Sequence, residues 1–94
     1  MMTKTMKQFL DEHPYELIID VREEDEFTEG HVQGAINIPL GTLENYQENK
    51  EKDIAVYCHS GRRSEMAKNI LLKNGYCRVE NIGGVIDGSM ELVQ

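Results

Sequence analysis

The chain has 94 residues, 39% of them hydrophobic and 29% charged, the balance of one soluble globular domain and not of a disordered segment. Ten Lys and Arg against 17 Asp and Glu leave a net charge of −7, which repels nucleic acid and anionic membrane and argues against either as a partner. No apolar run approaches the roughly 20 residues of a membrane span; with no secretory pattern in Met1–Gln8 and only two cysteines, the expectation is reduced thiols in the cytoplasm.

In chain order, Thr5-Met6-Lys7-Gln8 fits a capping box, and Met6, Phe9 and Leu10 then place one apolar stripe on a helix that ends near His13. Leu17-Ile18-Ile19-Asp20-Val21 is a nearly continuous apolar run, as a strand covered on both faces requires. The acidic stretch Glu23–Glu29 reads as the solvated start of a helix, where negative charge suits the dipole. Ala35–Ile38 is a second strand ended by Pro39, and residues 43–50 read as a short polar helix. Ile54–Cys58 is the clearest strand. Arg63–Asn74 is the best helix, with Met66, Ala67, Ile70 and Leu71 on one face and Asn74-Gly75 as its left-handed stop. Arg78–Ile82 is a weaker strand closed by Gly83-Gly84. There is no internal repeat or linker, so a single domain spans residues 1–94. Strands separated by helices predict an α/β fold with an open, mainly parallel sheet flanked by helices on both faces. Sites in such sheets form beyond the carboxyl ends of the strands, which places Asp20–Arg22, Cys58–Arg63 and Gly83-Gly84 on one side.

The strongest chemical signal is Cys58-His59-Ser60-Gly61-Arg62-Arg63-Ser64: a cysteine ends a buried strand, a loop with one glycine follows, and a helix begins. Loop N–H groups, the helix N-terminus and two arginines all favour thiolate over thiol, so Cys58 is placed as a nucleophile. The same features bind an anion. Residues 58–68 carry Arg62, Arg63 and Lys68 against Glu65, a net +2 on an acidic protein, which points to an anionic substrate or intermediate. A buried strand-end cysteine beside solvated arginines is the plainer alternative; the coincidence of thiol, turn, cations and helix start favours the chemical one. Asp20 and Arg22 share a strand face, and Asp20 is expected to accept a bidentate bond from Arg63 and so support the loop. His31 reads as a packed residue, and His59 either tunes the nucleophile or points to water. No metal site is expected, because Cys58, His59 and Cys77 lack ligand spacing. Cys77 resolves an oxidised Cys58 only if the two sulfurs meet; an unpaired thiol is the preferred reading.

These residues resemble the single-domain rhodanese-like sulfurtransferases from about Leu17 to Gly84. The strand ending Asp20-Val21-Arg22 is similar to that family's first landmark. So are Glu26-Phe27, Gly30-His31-Val32-Gln33-Gly34-Ala35-Ile36-Asn37-Ile38-Pro39, the Cys58–Ser64 loop, Gly75-Tyr76 and Gly83-Gly84. The resemblance implies that Cys58 accepts a sulfane sulfur from thiosulfate or a protein persulfide and passes it to a thiol, cyanide or an acceptor protein. It implies that His59, Ser60, Gly61, Arg62, Arg63 and Ser64 bind the substrate and that no cofactor is needed. The family's usual Trp-bearing helix after the glycines has no counterpart in Val85–Gln94, so a short or irregular C-terminal segment is expected. Three rivals remain. A cysteine phosphatase or arsenate reductase is disfavoured because serine, not arginine, stands at position 64. A non-catalytic interaction module is disfavoured by the retained Cys58. A sulfur carrier fed by a desulfurase overlaps the main reading.

Overall fold

Period-two alternation along Asp53–Cys58 sorts the molecule into two sides. Ile54, Val56 and Cys58 join one cluster of buried side chains, and Ala55 and Tyr57 join another. The computed structural model describes residues 4–94. It runs through helix α1 (Met6–Glu12), strand β1 (Leu17–Asp20), helix α2 (Glu24–Glu29), strand β2 (Ile36–Asn37) and a 3₁₀ segment (Leu40–Asn45). Strand β3 (Asp53–Cys58), helix α3 (Arg62–Lys73), strand β4 (Arg78–Gly84) and a 3₁₀ turn (Val85–Asp87) follow. The four strands are all parallel in the order β2-β1-β3-β4. Ala67, Ile70 and Leu71 of α3, with Leu40 and Leu43 of the 3₁₀ segment, cover one face of the sheet. Met6, Phe9 and Leu10 of α1, joined by Val85 and Met90, cover the other. The expected α/β architecture is therefore present, with each full burial of an Ile, Leu or Val contributing about 1.5–3 kcal/mol.

Local signals account for most of the boundaries. The Thr5 hydroxyl accepts from the Gln8 N–H at 3.2 Å and the Thr5 N–H donates to Gln8 Oε1 at 2.9 Å, so the capping box is complete and α1 ends at His13. Gly75 takes the left-handed conformation after α3, at φ +98°. The polar helix expected over residues 43–50 is instead a 3₁₀ segment that starts earlier, at Leu40, and closes at Asn45. It begins directly after Pro39, its Leu40 N–H donates to the Val21 carbonyl at 3.0 Å, and Leu43 is its one fully buried anchor. Too few apolar positions follow to hold an α-helix against the core. The C-terminal segment is irregular, as expected, and returns to pair Val93 with His31.

Two features of the sheet position the site. Connections from β1 lead outward to β2 and those from β3 outward to β4, so the crevice at the strands' carboxyl ends opens between β1 and β3, where Cys58 ends β3. Along β4 the register slips: Val56 pairs with Asn81, but Cys58 pairs with Gly84. Two steps on β3 therefore face three on β4, a bulge at Ile82-Gly83 with Gly83 at φ +100°. The same pairing separates the cysteines. Cys77 precedes Arg78, which pairs with Asp53 at the opposite end of β3. Strand rise alone puts about 16 Å between those ends, at about 3.3 Å per residue, far beyond disulfide reach. Cys77 is exposed and unpaired, and does not resolve Cys58.

Candidate active site

Cys58 lies at the centre of the sheet's carboxyl edge with 1% exposure, while His59, Ser60 and Arg62 around it are exposed. The chain turns back over the sulfur through Gly61, which at φ +97° both closes the loop and caps α3. Two N–H donors and a hydroxyl then converge on Sγ: the Gly61 N–H at 3.0 Å, the Ser64 N–H at 3.4 Å, and Ser64 Oγ at 3.4 Å in a bond that either the thiol or the hydroxyl can donate. Burial by itself pushes the Cys58 thiol up. Hydrogen bonds from the Ser64 hydroxyl and from the N–H groups of Ser64, Gly61 and Ser60 outweigh it and hold the thiol below its ordinary value. The arrangement stabilises a sulfur anion at the start of a twelve-residue helix.

The two arginines separate in role. Arg63 donates to both oxygens of Glu26 in α2, at 2.7 and 3.0 Å, not to Asp20. These bonds hold the Glu26 carboxyl down at about 2. Arg62 is exposed and has no carboxylate partner among the described residues. The expected Asp20–Arg63 pair fails because Asp20 is already satisfied two residues along its own strand. Arg22 reaches back with Nε at 3.0 Å from both Asp20 oxygens and Nη2 at 2.7 Å from Oδ2, and its N–H adds a bond at 2.9 Å. Arg22 also donates to the Gly30 carbonyl at 2.6 Å and lies over the Tyr57 ring. Asp20 and Arg22 thus brace the β1–α2 junction, and Arg22 meets β3 at the ring of Tyr57, the residue before Cys58. His31 is packed as expected, stacked 3.8 Å from Phe27 with Nδ1 at 2.9 Å from the Phe27 carbonyl. The His59 side chain is exposed, and its carbonyl accepts from the Ile86 N–H at 3.0 Å.

The family model for the rhodanese-like domain matches residues 2–94. The chain belongs to the rhodanese-like sulfurtransferase family. It is 44% identical over 80 residues to the thiosulfate sulfurtransferase PspE of Escherichia coli, covering 81% of this chain and 77% of that one. A candidate sulfur carrier protein of Bacillus subtilis, YrkF, is 40% identical over 81 residues; the match covers 84% of this chain but 44% of that longer protein. Among solved structures, an Escherichia coli rhodanese with anions superposes with a TM-score of 0.76 at 43% identity, over 83% of this chain and 96% of that one.

Three residues around this rhodanese-like site carry more than the sequence showed. Glu26 stands in the acidic run and in the Glu26-Phe27 landmark of the resemblance with no partner assigned to it, yet it neutralises Arg63. Gly84 has an extended backbone that any residue adopts, but a Cβ there would lie 2.1 Å from the His59 carbonyl oxygen. Asn81, a poor strand former two residues before Gly83-Gly84, joins the bulge to the loop: its Nδ2 donates to the Gly61 carbonyl at 3.1 Å and to Glu65 at 3.0 Å. A strand-position asparagine beside paired glycines was the one signal available for it.

Proposed function

We propose that this protein is a sulfurtransferase that carries sulfane sulfur on Cys58, with thiosulfate as a donor. The observation that carries the reading is the converging set of donors on a buried sulfur at the start of α3. The Cys58 thiolate attacks the outer sulfur of thiosulfate. A Cys58–S bond forms, the thiosulfate S–S bond breaks, and its electron pair leaves with sulfite. The negative charge now rests on the terminal persulfide sulfur, which the exposed loop around Gly61 presents outward. Arg62 is the cation available to the sulfonate end of the donor, and the loop from His59 to Ser64 shapes the mouth. Cyanide, a thiolate or an acceptor protein then attacks the outer sulfur and returns the Cys58 thiolate, so the kinetics are ping-pong. The name of the PspE relative supports thiosulfate as donor. The exposed Cys77 and the activated Cys58 suit a reducing compartment, the cytoplasm in this reading.

Intact-mass measurement after thiosulfate treatment tests the proposal. The parent and Cys77→Ala gain one sulfur atom that cyanide removes, and Cys58→Ala gains none. Sulfur retained in Cys58→Ala would overturn the assignment. The relationship to YrkF favours a second reading, a carrier loaded by a protein persulfide. Slow turnover with thiosulfate beside fast loading from a protein persulfide would select it.

A further inference from the structure

Ser64 is fully buried, and its hydroxyl has one proton for three acceptors. Asn81 Oδ1 lies 2.7 Å from Ser64 Oγ, and Cys58 Sγ and the Gly83 carbonyl lie at 3.4 Å. By distance the proton rests on Asn81. A neutral Cys58 thiol then donates to Ser64 Oγ, completing a chain from sulfur through hydroxyl to amide oxygen. An anionic sulfur has no proton to give, and the hydroxyl is the only side-chain donor in reach of it among the described residues.

We propose that Asn81 is a positioning residue for the sulfur chemistry, holding the Ser64 hydroxyl as a donor that turns to the Cys58 sulfur when that sulfur becomes anionic. Its amide is fixed the right way round. Nδ2 has two oxygen partners, Gly61 and Glu65, while Oδ1 faces the Gly83 N–H at 3.0 Å; reversing the amide would set donor against donor. That Gly83 bond is also what makes the turn inexpensive. When the Ser64 proton leaves, Oδ1 keeps the Gly83 N–H and is not stranded as a buried, unpaired acceptor. The bulge in β4 supplies this second donor. Meanwhile Nδ2 holds the Gly61 carbonyl, and the N–H on the other side of the same Cα is the nearest donor to sulfur. On ionisation the thiol proton passes to solvent and the Ser64 proton changes acceptor without leaving its oxygen, so no further reactant is required.

The consequence for sulfur transfer rests on Cys58 being the carrier, but the test reads the thiol itself. In a Cys77→Ala background, Cys58 is the one thiol in the chain, and the rate of iodoacetamide alkylation against pH gives its ionisation midpoint. Ser64→Ala raises that midpoint by about half a pH unit or more, roughly threefold less thiolate at a fixed pH below it. Asn81→Ala, or the near-isosteric Asn81→Leu if the alanine variant does not melt cooperatively, shifts it too. In the Ser64→Ala background the Asn81 substitution shifts it less than half as far, because the shared hydroxyl is gone. An unmoved midpoint in Ser64→Ala, or Asn81 shifts of equal size in both backgrounds, overturns the proposal. If the coupling is found but thiosulfate leaves no sulfur on Cys58, the relay stands and the sulfurtransferase reading fails. Sulfur loading without the coupling sustains the sulfurtransferase reading and overturns the relay.

Discussion

Arg62 and Arg63 are adjacent in the chain yet differ in what they can offer a substrate. Arg63 is engaged by a bidentate carboxylate, and both partners are about one-third exposed. Arg62 begins α3 with its side chain in solvent. Glu26 therefore sets how much positive charge the loop presents. Glu26→Gln removes that neutralising charge and leaves Arg63 free to attract an anion. The KM for thiosulfate is expected to fall by about threefold, in keeping with the ~1 kcal/mol that an exposed ion pair contributes at most. Arg62→Ala should raise it by a similar factor. Steady-state kinetics with cyanide as acceptor reads both. A higher KM in Glu26→Gln would show that Arg63 serves the donor only while the carboxylate holds it in place.

At the scale of elements, the site is a crossing of the Cys58 loop over the end of β4. Gly84 permits the crossing, since a Cβ at that position would come within 2.6 Å of three backbone atoms of His59 and Ser60. Backbone cannot rotate away as a side chain does, so Gly84→Ala must push the loop off the sheet. The expected cost is about 1–3 kcal/mol or more in denaturant melts, with loss of sulfur loading because Gly61 and Ser64 no longer converge on Cys58. A variant that melts and loads normally would show that the loop has slack. The loop itself was readable from sequence because its parts are consecutive: β3, the Gly61 turn and the first turn of α3 follow one another without a gap. The sheet was readable for the same reason, in Leu17–Val21 and Ile54–Cys58. What escaped was the choice among distant partners. Asp20 was the carboxylate expected for Arg63, and the outcome depended on Arg22 folding back onto Asp20 and on α2 bringing Glu26 to Arg63. The part played by Asn81 depended on the bulge in β4, which a strand pattern does not record.

Over the whole molecule, a net charge of −7 surrounds a small positive mouth. With Arg63 neutralised by Glu26, residues 58–68 present Arg62 and Lys68 against Glu65. A thiosulfate dianion is thus repelled at long range and attracted at short range, and ionic strength decides which it feels. The molecule is 31 × 31 × 23 Å. At 0.01 M salt the Debye length of about 30 Å lets the whole charge act on an approaching anion, whereas at 0.15 M, at about 8 Å, only the mouth does. In the parent the two effects oppose one another, so kcat/KM for thiosulfate should change little between those salt concentrations. Arg62→Ala removes the main attraction and leaves the repulsion, so its kcat/KM should rise as salt is added. An uncharged, small alkylating agent should show neither trend in either protein. If Arg62→Ala loses activity with salt as steeply as an attractive site would, the anion is being held by a cation other than Arg62, and Arg63 must leave Glu26 when the donor binds.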